Sequence, residues 1–306
     1  MRALVISGGG SKGAFAGGFS EYLIYDLKKD YQILIGCSTG SLIVPFLSIG
    51  AIDQIKEIYT SVGHKDIYNI CPFTIKKQED GSIKSGINHF NTIKMFLKRK
   101  KTFGETKNLR KTISKFYTED IHHAINNTKK HVVATVSNLN TQRIEYKHAR
   151  DHGREDFIDW MWASCSFVPF MSMVEKNGYD YADGGFGNYI PIEEALSLGA
   201  TEVDVIVLRP RHHFSKNTKS TNAFEVILKS LQFMLYQLGR HDLLVGHLES
   251  IYNSDVKVNF HFTPRLLTEH SFYFDPKLMS QWWDEGYDHA ASIFGQKNNS
   301  KFIQNF

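Results

Sequence analysis

The sequence predicts an α/β layered fold, and three observations carry that expectation. Short, continuous apolar runs alternate with amphipathic stretches at helical spacing. Glycine-rich turns follow several of these runs, at Gly8-Gly9-Gly10, Gly36-Cys37-Ser38-Thr39-Gly40 and Asp183-Gly184-Gly185. The 306 residues, 42% of them hydrophobic, can bury one large core or a core with a smaller appendage.

The elements follow in order. Ala3–Ser7 reads as a buried strand. Gly13–Lys28 reads as a helix with Phe15, Phe19, Tyr22, Leu23 and Leu27 on one face. Gln32–Ile35 is a second short strand, and Ser41–Ser48 an apolar helix that Pro45 is placed to kink. Asp53–Ser61 is a further helix. Turn signals at Asp80–Gly81 and Gly86 precede a short helix over Asn91–Arg99. Val132–Val136 and Arg143–Lys147 are strands joined through Asn138–Gln142. Asp156–Ser164 is helical, and Pro169 ends that region. Tyr179–Ala182 is a strand running into Asp183. Pro191–Leu198 is a helix leading to Gly199, and Val203–Leu208 a buried strand. Past Pro210, Asn222–Leu238 carries an apolar stripe of Phe224, Ile227, Leu228, Leu231, Leu235 and Leu238, which predicts a helix packed on the core. Val256–Phe262 is a last strand. There is no internal repeat or low-complexity linker. The expected division is a core over residues 1–210 and a C-terminal α/β segment over 211–306 that packs on it or completes it.

Composition narrows the functional classes. Cys37, Cys71 and Cys165 cannot all pair with one another and lack metal-ligand spacing, so they are expected as reduced thiols with no metal. The apolar run Ala3–Ile6 is too short for a signal-peptide core, and Ser41–Ile52 is too short to span a bilayer. The expectation is a cytoplasmic protein, soluble or peripheral on the inner membrane surface. The net charge of +4 conceals an asymmetry. Lys76 to Lys115 holds 12 Lys/Arg against three Asp/Glu, leaving 24 basic and 29 acidic residues elsewhere. A cationic segment on an otherwise acidic chain favours an anionic surface. Phospholipid ranks above nucleic acid, because no helix-turn-helix, zinc or RNP signature is present.

Two motifs follow strands and open helices. Gly8-Gly9-Gly10-Ser11-Lys12-Gly13 lets backbone N–H groups approach an anion or a developing oxyanion at a helix N-terminus. It matches GxGxxG formally. However, the strand Gln32–Ile35 ends in Gly36-Cys37-Ser38 without the acid a dinucleotide ribose needs, and no GK[ST] closes a Walker loop. No cofactor is therefore expected. Gly36-Cys37-Ser38-Thr39-Gly40 is a GxSxG between strand and helix, the setting of a nucleophile elbow. Its bland alternative is a serine that merely caps the helix. Asp183-Gly184-Gly185 alone reads as a turn. Together the three supply a nucleophile, a base and an oxyanion donor set.

The sequence resembles the patatin-like phospholipases over roughly Met1 to Pro210. The likeness rests on GGGSKG, on GCSTG beginning after the second strand, on DGG followed by NYIPIEEALSLGA, and on ASCSFVPF (Ala163–Phe170). The resemblance implies a three-layer α/β/α fold, a modified relative of the α/β-hydrolases, around a mostly parallel sheet. It also implies a lipid acyl-hydrolase that cleaves acyl esters through a Ser38–Asp183 dyad. Ser38 would attack, Asp183 would take and return the proton, and amides around Gly9, Gly10 and Ser11 would hold the oxyanion. Each such donor is worth about 2.7–4 kcal/mol. One departure stands out: Lys12 occupies a position where the family commonly has Arg. Lysine keeps the charge but loses the bidentate fork, which matters only if the cation must bridge specific oxygens.

Other readings remain open at this stage. The fold also serves broad esterases and thioesterases, and a degenerate copy could bind lipid or nucleotide without turnover. A Ser–His–Asp triad would need a histidine such as His212, His241, His247 or His270. Cys37, beside the nucleophile, is expected to pack beneath the turn rather than act as a thiol.

Overall fold

The computed structural model describes residues 1–77, 83–212, 219–220 and 222–299. The chain begins β1 (Arg2–Ile6), α1 (Gly13–Glu21), β2 (Ile33–Cys37), α2 (Thr39–Ser48), α3 (Ile52–Ser61) and α4 (His64–Ile67). A hairpin of β3 (Phe73–Lys77) and β4 (Ile83–Ile87) leads to α5 (His89–Leu97), α6 (Lys107–Phe116) and α7 (Glu119–Asn126). The turn expected at Asp80–Gly81 lies outside the described residues. Then come β5 (His131–Asn138), β6 (Arg143–His148), α8 (Arg154–Ser164), β7 (Val174–Lys176), β8 (Tyr179–Asp183), α9 (Ile192–Ser197) and β9 (Glu202–Val207). The chain continues with α10 (Ala223–Tyr252), β10 (Lys257–Phe262) and α11 (Pro276–Asn299).

Eight strands form one mixed sheet in the order β10-β9-β1-β2-β5-β8-β7, with β6 also on β5. The five strands from β10 to β5 are parallel, and β6, β7 and β8 pair antiparallel. The central strands read as continuous apolar runs because both of their faces are covered. On β1, Leu4 and Ile6 enter one core while Ala3 and Val5 enter the other. On β2, Leu34 joins the first and Ile33 and Ile35 the second. Helices on both faces make this the expected three-layer α/β/α arrangement.

Three differences from the sequence reading have physical causes. The helix expected over Gly13–Lys28 ends as α1 at Glu21 and finishes in a wider π turn over Tyr22–Asp26. The α10 helix runs 30 residues, well past Leu238, where Gly239 and Gly246 interrupt the apolar stripe and hide the continuation in the sequence pattern. Those glycines let Tyr189, Ile192 and Phe260 approach the helix backbone. Helices α6 and α7 carry a weak sequence pattern because few of their residues are buried, chiefly Leu109, Ile113, Ile121 and Ile125, among many charges. The α2 helix continues through Pro45. Among the described residues, no helix is long and apolar enough to cross a membrane.

Candidate active site

The second glycine motif folds as a tight strand–helix turn. Ser38 joins β2 to α2 with φ 52° and ψ −123°, a conformation that costs a non-glycine residue about 1–3 kcal/mol. Close approach enforces it. A Cβ on Gly36 would stand 2.1 Å from the Gly40 carbonyl carbon, and one on Gly40 would stand 2.4 Å from the Ile6 oxygen. The Ser38 N–H donates to Ser164 Oγ at 3.0 Å, and the Ser38 carbonyl accepts from the Ser41 N–H and Oγ at 2.9 and 2.7 Å. The Ser38 side chain makes no capping bond to α2. The backbone therefore does the capping and the hydroxyl faces elsewhere.

Sheet register brings Asp183 to the Ser38 turn. Strand β5 serves two neighbours on a single edge, because β6 occupies the other from Val133 to Asn138. Strand β2 takes the lower part, ending with Cys37 beside Thr135. Strand β8 arrives antiparallel on the upper part and ends with Asp183 beside Val136. The ends of two strands meet at adjacent positions, so residues 146 apart in sequence share one site. Cys37 Sγ lies 3.9 Å from Asp183 Oδ1, and the Gly185 N–H donates to the same oxygen at 2.8 Å. Gly184 and Gly185 form the short turn that follows.

Asp183 is only 6% exposed. Burial pushes its pKa up to about 6, against hydrogen bonds from Ser38, the Gly185 amide and Cys37. Among the described residues it has no Lys, Arg or His ion-pair partner. It is thus ionised at neutral pH yet more basic than an ordinary carboxylate. Cys37 is fully buried, and burial together with the Asp183 charge raises its thiol well above the usual range. It packs beneath the turn, as expected, and is unfit as a nucleophile.

The glycine loop crosses above these groups. Gly10 adopts φ +58°, and a Cβ there would stand 2.2 Å from the Ser271 carbonyl oxygen. That carbonyl accepts from the Ser11 N–H at 2.9 Å and from Ser11 Oγ at 3.2 Å. Ser11 is fully buried, and its amide is therefore committed to Ser271. The Gly9 and Gly10 amides have no acceptor among the described residues. Lys12 also turns away. Its Nζ donates to the Leu208 carbonyl at 2.7 Å, and it does not line the cavity beside Ser38. Burial, then the nearby Arg209 charge, lowers Lys12 to about 8. Gly13 begins α1.

Ser38, Asp183 and Gly8 to Gly10 open onto one apolar cavity of about 160 Å³. Its walls include Leu42, Phe46 and Ile58 on one side and Leu109, Ile113 and Phe116 of α6 on another. No histidine lines it among the described residues. His212, His241 and His247 are exposed.

Several contributors carried no sequence signal. The Tyr189 hydroxyl donates to the Gly8 carbonyl at 2.5 Å, and the Ile190 N–H donates to Asp242 Oδ2 at 2.8 Å. Gln232 and Leu235 of α10, Ser271, Phe272, Phe274 and Met279 close the cavity. The apolar stripe expected on α10 does pack on the core through Leu228, Leu231 and Leu235, but these residues stay half-buried. Only Tyr189 could have been noticed, since it stands just after the Asp-Gly-Gly turn.

A nucleophile-elbow turn on a layered α/β sheet belongs to a class of proteins that hydrolyse esters. The family model for patatin-like phospholipase matches residues 4–196, and this chain belongs to that family. Membership supports lipid acyl-hydrolase activity in general. The crystal structure of VipD from Legionella pneumophila is similar to this fold, with a TM-score of 0.54 at 14% sequence identity. The match covers 96% of this chain and 67% of that one. At that identity the likeness is one of fold. The cavity wall formed by residues 232–279 lies beyond the stretch that the family model matches.

Proposed function

We propose that the chain is a phospholipase A or lysophospholipase-type acyl-hydrolase that works through a Ser38–Asp183 dyad. The observation that carries this reading is a buried carboxyl with no counter-charge among the described residues, lining one apolar cavity together with Ser38. Asp183 takes the Ser38 proton as Oγ attacks the ester carbonyl carbon. The tetrahedral oxyanion is held by the N–H groups of Gly9 and Gly10, which have no acceptor among the described residues. Collapse breaks the bond to the alcohol, which leaves with the proton from Asp183. A water then gives its proton to Asp183 and attacks the acyl-Ser38 ester; the adduct collapses, the Ser38 oxygen leaves with the proton from Asp183, and the carboxylic acid departs.

The cavity suits an acyl chain. Its lining is mostly apolar, and Ser38 and Asp183 are both part of that lining. The reading is tested by reaction with a fluorophosphonate, which labels an activated serine covalently. Labelling of the wild type and none of Ser38→Ala is expected. Absence of labelling in folded wild type contradicts it, and so does a histidine variant that stops labelling as completely as Ser38→Ala. Product analysis on a mixed phospholipid extract, wild type against Asp183→Asn, then reports the substrate class.

A further inference from the structure

Helix α5 presents an apolar face to solvent. Phe90, Ile93, Phe96 and Leu97 are 77%, 57%, 80% and 75% exposed, while Thr92 and Met95 anchor the helix to the protein. At 100° per residue the four exposed side chains fall on one continuous arc, opposite the buried pair. Isolated exposed apolar residues are ordinary; four on one nine-residue helix make a patch.

Cations border that arc. Lys94 and Lys98 follow on the helix surface beside Phe90, and Arg99 follows the helix end. All three are exposed and have no carboxylate partner among the described residues. Lys100 and Lys101, by contrast, pair with Glu105, Glu175 and Asp180.

We propose that α5 docks the protein on an anionic phospholipid surface. Phe90, Ile93, Phe96 and Leu97 enter the acyl boundary while Lys94, Lys98 and Arg99 meet the head groups. The occupant follows from this pattern. A surface negative at its outer layer and apolar just beneath matches a helix whose apolar arc is edged by cations. A second copy of this chain fits poorly, because the face lies within the segment of 12 basic and three acidic residues and would meet its own charge.

The segments on either side of this helix reach the cavity wall through aromatic contacts. Phe73, on the neighbouring hairpin, stacks on Phe272 of the cavity wall at 5.7 Å. Phe103, just past α5, contacts Phe224 of α10 at 5.0 Å, and α10 supplies Leu235 to the cavity. Docking on α5 would thus hold the cavity wall at the lipid boundary. The value of that placement for substrate supply rests on the proposed function, whereas docking itself does not.

The test uses full-length Ser38→Ala, which removes turnover, sedimented with phosphatidylcholine vesicles with and without phosphatidylserine. Binding to the phosphatidylserine vesicles is expected to fall at least tenfold in Phe90→Ser/Phe96→Ser. Lys94→Glu/Lys98→Glu is expected to remove the preference for phosphatidylserine. In the Ser38-intact background, Phe90→Ser/Phe96→Ser should hydrolyse a soluble short-chain ester like wild type, which certifies its fold. Equal vesicle binding by parent and Phe90→Ser/Phe96→Ser overturns the proposal, as does a parent that ignores phosphatidylserine. A wild-type dimer that Phe90→Ser/Phe96→Ser dissociates without vesicles also overturns it. Vesicle binding retained without turnover of any ester would instead count against the proposed function alone.

Discussion

Two buried aspartates in one sheet have opposite fates. Asp204, on β9, is fully buried and surrounded. It accepts from Lys29 at 2.6 Å, Tyr31 at 2.8 Å, Asn259 at 3.1 Å and His261 at 3.2 Å. Burial alone would raise its pKa, but the His261 hydrogen bond and the Lys29 charge outweigh burial and hold the carboxyl well below the usual range. Asp183 is buried almost as deeply, and among the described residues its carboxylate receives the Gly185 amide and a distant thiol, with no cation beside it. Its pKa goes up. Burial with counter-charge holds a carboxyl ionised; burial without it leaves the carboxyl more basic than usual. The difference is one of strand ends. Asp204 lies mid-strand, where linker and neighbouring strand can supply partners, whereas Asp183 ends β8 at an open cavity.

The largest expected effect breaks the second half of that comparison. Asp183→Asn should lower kcat/KM on a soluble ester by about 10³-fold or more, the range lost with a general base. The same change should raise thermal stability. Because the folded pKa of about 6 lies above the ordinary carboxylate value, the ionised form penalises the folded state at every pH above that value. Removing the charge relieves a cost of up to about 3 kcal/mol at neutral pH, visible as a higher Tm. Equal or lower Tm together with full activity would reverse the assignment. Asp204→Ala should do the opposite, destabilising the fold by about 3–5 kcal/mol while specific activity of folded protein persists. Urea unfolding and active-site titration read the two separately.

The pH dependences should also diverge. The proposed mechanism uses ionised Asp183, so kcat/KM is expected to fall tenfold per unit below about pH 6. Asp204 is depressed, so its contribution to stability is complete above the unfolded carboxyl pKa. It is lost as pH falls below about 4 and on through the folded value. Unfolding midpoints measured against pH in Asp204→Ala and wild type should converge in acid.

The smallest expected change concerns Lys12. Its ammonium bonds Leu208 and stays outside the cavity, so Lys12→Met should lower turnover by less than about tenfold, or ~1.4 kcal/mol. A larger loss would assign the cation a role in holding the reacting charge.

Much of this site was legible in the sequence because its parts are local. A glycine pair forces the Ser38 turn, and the short strand β8 carries Asp183 at its end. Their encounter was not legible, since it depends on β2 and β8 sharing one edge of β5. Nor was the division of labour within the glycine loop. Residue type could not reveal that the Ser11 amide would be committed to Ser271, 260 positions away, or that Lys12 would turn to Leu208. The α5 patch illustrates the same limit. The charge excess around Lys94 and Lys98 was plain, but the outward direction of Phe90 and Phe96 is a property of packing.

The claim that Asp183 activates Ser38 can be tested on the reacting atom itself. The measurement is the rate of fluorophosphonate labelling of Ser38 against pH, in wild type and Asp183→Asn. A wild-type rate that declines below about pH 6, with a slow and pH-independent rate in the variant, is predicted. A variant labelled as fast as wild type, with the same pH profile, would contradict the account.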